Sequence, residues 1–294
     1  MKEVLLRSML YVPAYNKRFI DNALKCNADA LIIDLEDSVP ELYKPEARKI
    51  TKEYLENSTF TGKNIFIRLN PLESKMVFED LKFVLHSDVV GYQLTKIKTA
   101  DDISYYDKLF SQYESELGFE DGYFKFAPLI ETTSAVMDVY NIAKATTRNV
   151  AICFGGEDFL NDLAGLHGEP PRAFDYPRAA IALAARAAGI LPIDTPYLSL
   201  DDHEGFIAEE TISFEMGFAG TLIIHPKQIS LAHKCFTPVE TEIIRSRQIV
   251  DAISEAQKKG TGVAILDGKM IGPPMKKRAE NVLKIMKLIQ SRAE

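Results

Sequence analysis

Short apolar runs recur along this chain, and longer segments with apolar residues at helical spacing separate them. The runs are continuous rather than alternating, which is the pattern of parallel strands buried on both faces. Strands are predicted at residues 9–12, 30–33, 64–69, 90–94, 124–130, 150–154, 195–198 and 220–224. Helices are predicted at 16–26, 44–56, 73–85, 101–117, 175–188 and 202–216, with another opening at Thr132, Thr133 and Ser134. Pro45 suits a first helical turn, and Gly189 and Gly217 suit helix stops. Eight strands alternating with helices predict an α/β fold, a (β/α)8 TIM barrel.

After residue 237 the pattern changes. A long helix is predicted at 240–259, a short strand at 263–266, a hairpin-type turn at Asp267-Gly268 and an amphipathic helix at 274–292. The chain therefore divides into a barrel domain, residues 1–237, and a C-terminal helical extension, residues 238–294. That extension docks either on its own barrel or on a neighbour's.

Bulk properties narrow the class. The 294 residues are 46% hydrophobic and 26% charged, which is ordinary globular composition. A net charge of −7 provides no global basic field for nucleic acid, so an anionic substrate must be held by local cations or a metal. The three cysteines form no CxxC pair, which suits a reducing compartment. Cys153, in mid-strand, reads as a core residue. The N-terminal apolar run is too short for a signal peptide, and no segment approaches the ~20 apolar residues that span a bilayer. The expectation is a cytoplasmic protein that binds neither nucleic acid nor membrane.

Candidate chemistry gathers where the strands end. Asp34, Glu36 and Asp37 follow the second strand, Arg68 and Asn70 the third, Lys96 the fourth, Glu131 the fifth, and Gly155-Gly156-Glu157-Asp158 the sixth. In a parallel barrel, catalytic groups occupy that end. Glu131 and Asp158 come from adjacent strands, so one divalent ion fits between them; two carboxylates with open positions suit Mg²⁺. Each also has a structural alternative, Glu131 complementing a helix dipole and Asp158 capping a helix. Glu157 is an alternative ligand, and strand alternation turns only one of the pair inward. Arg68 is placed to hold a carboxylate or an enolate oxygen, or else is paired with Glu36 or Asp37. The N–H groups near Gly155 and Gly156 are candidate donors to developing negative charge. Asp37 is expected to pair with Lys44 or Arg48, and His225 reads as structural. Arg7, Tyr15, Lys17 and Arg18 are either a phosphate landing site or solvated surface. No His/Cys set has zinc spacing.

With these residues in hand, the chain resembles the citrate lyase β-subunit-like enzymes, which include malyl-CoA and citramalyl-CoA lyases. The matching pieces are RSMLYVPAYNKR, ADALIIDLEDSVPELYKPEAR, IFIRLNPL, APLIETTSAV, AICFGGEDFLNDLAG, YPRAAIALAARAAGI, GFAGTLIIHPKQI and DGKMIGPP, in family order from residue 7 to about residue 280. The resemblance implies a TIM barrel, Mg²⁺, a CoA thioester with a small keto or hydroxy acid, and reversible C–C cleavage of a β-hydroxyacyl-CoA. It implies that Glu131 and Asp158 are metal ligands, that Arg68 holds the substrate, and that Glu131, Gly155, Gly156 and Glu157 line the substrate site. It also implies a homotrimer whose C-terminal segment covers a neighbour's site. One position departs from the family. The tail motif that usually reads DGKMID ends here in Gly272, which carries no group able to transfer a proton. LTKIKT around Lys96 replaces the usual proline-lysine pair. The implied alternatives are a non-autonomous or degenerate lyase subunit and an acyl-CoA thioesterase.

Overall fold

A computed structural model describes residues 4–60, 62–168 and 171–293; residues 1–3, the first of the N-terminal stretch weighed above as a signal peptide, lie outside the described residues. Residues 6–235 form one compact unit, and the chain from residue 236 onward, with residues 4 and 5, forms another.

The first unit is a closed barrel of eight parallel strands in sequence order. Its elements are β1 (Ser8–Pro13), α1 (Lys17–Leu24), β2 (Ala30–Asp34), α2 (Lys44–Glu56), β3 (Ile65–Arg68), α3 (Val77–Val84), β4 (Val89–Leu94), α4 (Ala100–Leu117), β5 (Lys125–Ile130), α5 (Thr133–Lys144), β6 (Ala151–Phe154), α6 (Gly156–Leu163), α7 (Asp175–Ala188), β7 (Leu191–Asp194), α8 (His203–Glu215), β8 (Gly220–Ile223) and α9 (Ile229–Cys235). The pairing Ser8↔Thr221 to Leu10↔Ile223 closes the sheet. The expected TIM barrel is the fold observed.

Local chemistry explains most boundaries. Pro45 lies in the first turn of α2. Thr99 and Asp102 form a capping box at the start of α4, and Gly118 ends that helix in the left-handed region at φ +78. Gly189 ends α7 in the same way at φ +77. Tyr92, Phe110, Phe124 and Phe126 interlock as tilted and edge-on rings between sheet and helices.

Two expectations need correction. Strand seven lies at 191–194 and not at 195–198. Pro192 reads as a strand breaker, but β7 pairs with β8 only from Ile193↔Gly220 onward, so the proline precedes that ladder. The helix expected over 73–85 begins instead with a 3-10 turn, Leu72–Ser74. Lys75 then takes a left-handed φ of 59 before α3 starts.

At the amino end of the barrel, Arg148 is 2% exposed and pairs bidentately with Glu114 at 2.6 and 2.7 Å. It also reaches Asp107 at 2.6 Å and Asp121 at 2.8 Å. Glu114 in turn accepts the N–H groups of Gly122 and Phe124, which ties the α4–β5 connection to the barrel floor.

The second unit has its own core. Ile249 and Ile253 of α10 (Glu240–Lys258) pack with Ile271 and with Ala279 of α11 (Pro273–Ala293). Between the helices is the hairpin β9 (Ala264–Leu266) and β10 (Lys269–Ile271). Asp267 and Gly268 both take positive φ, 50 and 71, as a two-residue primed turn requires. Asp267 is engaged by Arg245. No helix of the described residues is long and apolar enough to cross a membrane.

Candidate active site

Glu131 follows β5 directly and is 1% exposed. Its Oε1 accepts the Lys96 backbone N–H at 2.5 Å, and its Oε2 lies 3.7 Å from Lys96 Nζ. The same ammonium lies 2.7 Å from Asp158 Oδ2. The two acids therefore converge on a single cationic group. Lys96 itself adopts a left-handed φ of 53, an uncommon conformation for a side chain of this size. Burial pushes the Glu131 carboxyl up to about 8, against the pull of Lys96. Burial works against the charge of Lys96 too, but Glu131 and Asp158 raise its affinity for a proton.

This arrangement fits a hard divalent ion. An ammonium already stands at the point that Glu131 and Asp158 share, so the site is electrostatically prepared for positive charge. Two carboxylates, one secluded and one 42% exposed on its side chain, form the kind of donor set Mg²⁺ uses when waters and substrate oxygens complete its shell. Among the described residues, no group of three or more His, Cys, Asp or Glu side chains converges as an all-protein metal cage.

Close approach requires glycine after β6. A Cβ on Gly155 would stand 2.7 Å from Glu131 Cβ and 3.1 Å from its Oε2. A Cβ on Gly156 would stand 2.7 Å from Thr195 Oγ1 and 2.9 Å from Phe174 Cζ. Both N–H groups are in use: Gly155 donates to the Ile130 carbonyl at 2.9 Å and Gly156 to Thr195 Oγ1 at 2.9 Å. The glycines' own N–H groups are thus not the ones open to developing negative charge, and the expectation of donors near them passes to their neighbours.

Glu157 and Asp158 also differ from expectation. They lie in the first turn of α6, not on a strand, so helical rather than alternating geometry separates them. Glu157 turns onto His167, with Oε1 2.5 Å from Nε2. Phe159 is 4% exposed and packs edge-on against Phe154.

Arg68 ends β3 and is 9% exposed. Its guanidinium forks onto Asp34, with Nε to Oδ1 at 2.7 Å and Nη2 to Oδ2 at 2.5 Å. Nη1 stands 3.2 Å from Glu36 and 3.8 Å from Asp37. The plane lies over the Tyr11 ring, 4.5 Å from its centroid. The structural alternative weighed for Arg68, an ion pair with Glu36, is present, and Asp34 is an additional and closer partner. Burial opposes the charge on Asp34, but Arg68, Ser38 and the Glu36 N–H hold its carboxyl below the usual range. Asp37 does not pair with Lys44 or Arg48 as expected. Lys44 binds the carbonyls of Leu35 and Glu36 and Asn70 Oδ1, while Arg48 binds Asp80 at 2.7 Å. Lys44 and Arg48 are buried on α2 and satisfy the inward acceptors nearest to them, whereas the Asp37 side chain is 60% exposed.

Sequence reasoning missed Tyr11 and Gln93. Tyr11 donates to Gln93 Oε1 at 2.8 Å, which orients the amide, and the Gln93 Nε2 is buried without a partner. Burial pushes the Tyr11 hydroxyl well above its ordinary value. The available signal was a polar residue within each apolar strand. His225 caps the turn after β8 through Nδ1, a structural role. Cys153 is fully buried, and burial pushes its thiol up to about 12.

Comparison with known proteins adds the family. Residues 7–226 match the model of the HpcH/HpaI aldolase/citrate lyase family. The chain belongs to that family. It is 33% identical over 279 residues to the citrate lyase subunit beta of Haemophilus influenzae, covering 95% of this chain and 96% of the relative. It is 27% identical to the mitochondrial citramalyl-CoA lyase of Rattus norvegicus, covering 99% and 89%. Among solved structures it resembles CitE from Mycobacterium tuberculosis in complex with magnesium, acetoacetate and coenzyme A. The TM-score is 0.73 at 25% identity, covering 95% of this chain and 97% of that one. The lyase class expected from the sequence agrees with these relatives.

Proposed function

We propose that this chain is a Mg²⁺-dependent carbon–carbon lyase. Its substrate would be a β-hydroxyacyl-CoA such as citryl-CoA, malyl-CoA or citramalyl-CoA, cleaved to an acyl-CoA and a keto acid. The observation that carries the reading is the convergence of Glu131 and Asp158 on one cation, the Lys96 ammonium. Relatives of this chain are citrate and citramalyl-CoA lyases, and a similar structure holds magnesium with coenzyme A.

Glu131 and Asp158 would hold the Mg²⁺. Bound there, it supplies Lewis-acid stabilisation of the oxygen that becomes the keto group. Arg68 would hold the negative charge that the departing acyl-CoA fragment acquires. Asp34 fixes the guanidinium plane in advance, so little reorganisation accompanies the reaction. The remaining donors at the start of α6 are the N–H groups of Glu157 and Asp158, which helix geometry leaves without intrahelical acceptors. They would offer polar contacts to a substrate carboxylate.

The test is product analysis with purified protein and the three CoA thioesters, with Mg²⁺ and with a chelator. The expected result is paired acyl-CoA and keto acid, abolished by chelation and by Asp158→Ala or Glu131→Ala. Release of free CoA with an intact hydroxy diacid would replace this reading with a thioesterase. A chain that cleaves none of the three would refute it.

A second reading, a subunit that is not active alone, is favoured by Gly272. A Cβ there would meet Val263 Cγ1 at 3.7 Å and Pro274 Cδ at 4.0 Å, ordinary contacts, so the backbone does not demand glycine. If Gly272→Asp confers cleavage that the natural chain lacks, the subunit reading stands. We also infer a homotrimer; light scattering showing a monomer would exclude it.

A further inference from the structure

Glu36 lies two residues beyond β2, and its side chain is 5% exposed. Its Oε2 accepts the Asp37 N–H at 3.1 Å and stands 3.2 Å from Arg68 Nη1. Its Oε1 makes no hydrogen bond among the described residues. Lys44, from α2, donates to the Glu36 carbonyl at 2.9 Å and to the Leu35 carbonyl at 3.1 Å, pinning the backbone that carries this carboxyl.

The other acids at this rim are committed. Asp34 is forked by Arg68 and bonded by Ser38. Glu131 and Asp158 share Lys96. Asp37 is 60% exposed. Glu36 alone among them is secluded, has one oxygen without a hydrogen bond and stands beside the guanidinium that receives charge in the proposed reaction. Its surroundings also suit proton transfer. Burial pushes the carboxyl up to about 7, with Asp37 and Asp34 adding to the rise and Arg68 opposing it. The charges of Lys96 and Glu131, from the ends of β4 and β5, interact with it across the mouth. A group that titrates near neutrality is the most effective acid–base catalyst at neutral pH.

We propose that Glu36 is the proton-transfer group of this site: its carboxylate takes the proton of the substrate's β-hydroxyl, and the resulting acid returns it to the α-carbon of the acyl-CoA enolate. This rests on the lyase reading. The O–H electron pair becomes the second bond of the keto group. The pair of the breaking C–C bond enters the enolate, and protonation of that carbon regenerates the Glu36 carboxylate. No oxidant, reductant or further reactant is consumed.

The test is kcat and KM for wild type, Glu36→Gln and Glu36→Asp from pH 5.5 to 9 at saturating Mg²⁺. Wild-type kcat is expected to rise with pH through about 7, as the carboxylate forms. Glu36→Gln should lower kcat by about 10²–10⁴-fold with KM nearly unchanged, and its residual rate should lack that limb. Glu36→Asp should restore part of kcat together with the limb. A Glu36→Gln enzyme with wild-type kcat overturns the proposal. So does one that raises KM and keeps the pH limb, because that is the signature of a disturbed Arg68. If Glu36→Gln does not fold, Glu36→Asp decides, and wild-type kcat in that variant overturns the proposal. A wild type that cleaves no β-hydroxyacyl-CoA brings down the lyase reading, and this proposal with it; an active wild type with an unaffected Glu36→Gln variant brings down this proposal alone.

Discussion

Replacing Glu131 by Gln should change how stability depends on pH. The Glu131 carboxyl is 1% exposed, and burial pushes it from 4.5 up to about 8. A carboxyl whose proton affinity is higher folded than unfolded stabilises the fold at low pH, and that stabilisation is lost as pH rises through the folded value. The relevant window is therefore pH 4.5 to about 8. At about 1.4 kcal/mol for each tenfold change in proton affinity, the full effect approaches ~5 kcal/mol. Glu36, pushed up to about 7, and Glu210, pushed well above its ordinary value by burial, act in the same direction. The wild-type slope thus sums several groups, and the difference between wild type and Glu131→Gln isolates one. Gln is close in shape and keeps an acceptor for the Lys96 N–H. The assay is urea unfolding in the presence of a chelator at about pH 5 and about pH 8.5. The two proteins should be similar in stability at the lower pH, and the variant should be more stable by several kcal/mol at the higher. Parallel wild-type and variant curves across this range would refute the reasoning.

Three further perturbations probe other parts of the account. Lys96→Met removes the ammonium that stands 2.7 Å from Asp158, so Mg²⁺ affinity measured by calorimetry should rise about fivefold, matching the ~1 kcal/mol of a part-exposed ion pair; unchanged or weaker affinity would show that Lys96 does not compete with the metal. Gly155→Ala would put a Cβ 2.7 Å from Glu131 Cβ and should weaken Mg²⁺ binding by ~10–100-fold while circular dichroism stays native. Arg148→Ala leaves Glu114, which is 1% exposed, without its bidentate partner and should cost ~3–5 kcal/mol in chemical denaturation; a cost below about 1 kcal/mol would contradict the role assigned to this cluster.

Much of the barrel was legible because its strands are short, continuous and apolar, with helical periods between them. Strands one to six and eight fall within about two residues of their predicted positions, and the helices at 44–56 and 175–188 match in full. Strand seven was displaced because Pro192 suppresses the strand signal, although its place ahead of the β8 ladder makes it harmless. Site residues were legible where a charged side chain ends an apolar run, as Arg68 and Glu131 do. What sequence could not supply was partner choice. Arg68 pairs with Glu36 as weighed, but its two-pronged contact goes to Asp34, a matter of fork geometry across β2 and β3. Sequence placed candidate N–H donors near Gly155 and Gly156 but could not say which were free, and the glycines' own are bonded. Packing against Glu131 and Thr195 is what requires glycine there. The start of α6 immediately after Gly155 moved Glu157 and Asp158 from strand to helical geometry, and this turns Glu157 to His167.

The central claim is that Glu131 and Asp158 hold one divalent ion jointly. Calorimetric titration of the chelated protein with Mg²⁺ tests it most directly, carried out in parallel on wild type, Glu131→Gln and Asp158→Asn. The account predicts one ion per chain for wild type and no saturable binding in either variant. Stoichiometric binding that survives in one of them would contradict it.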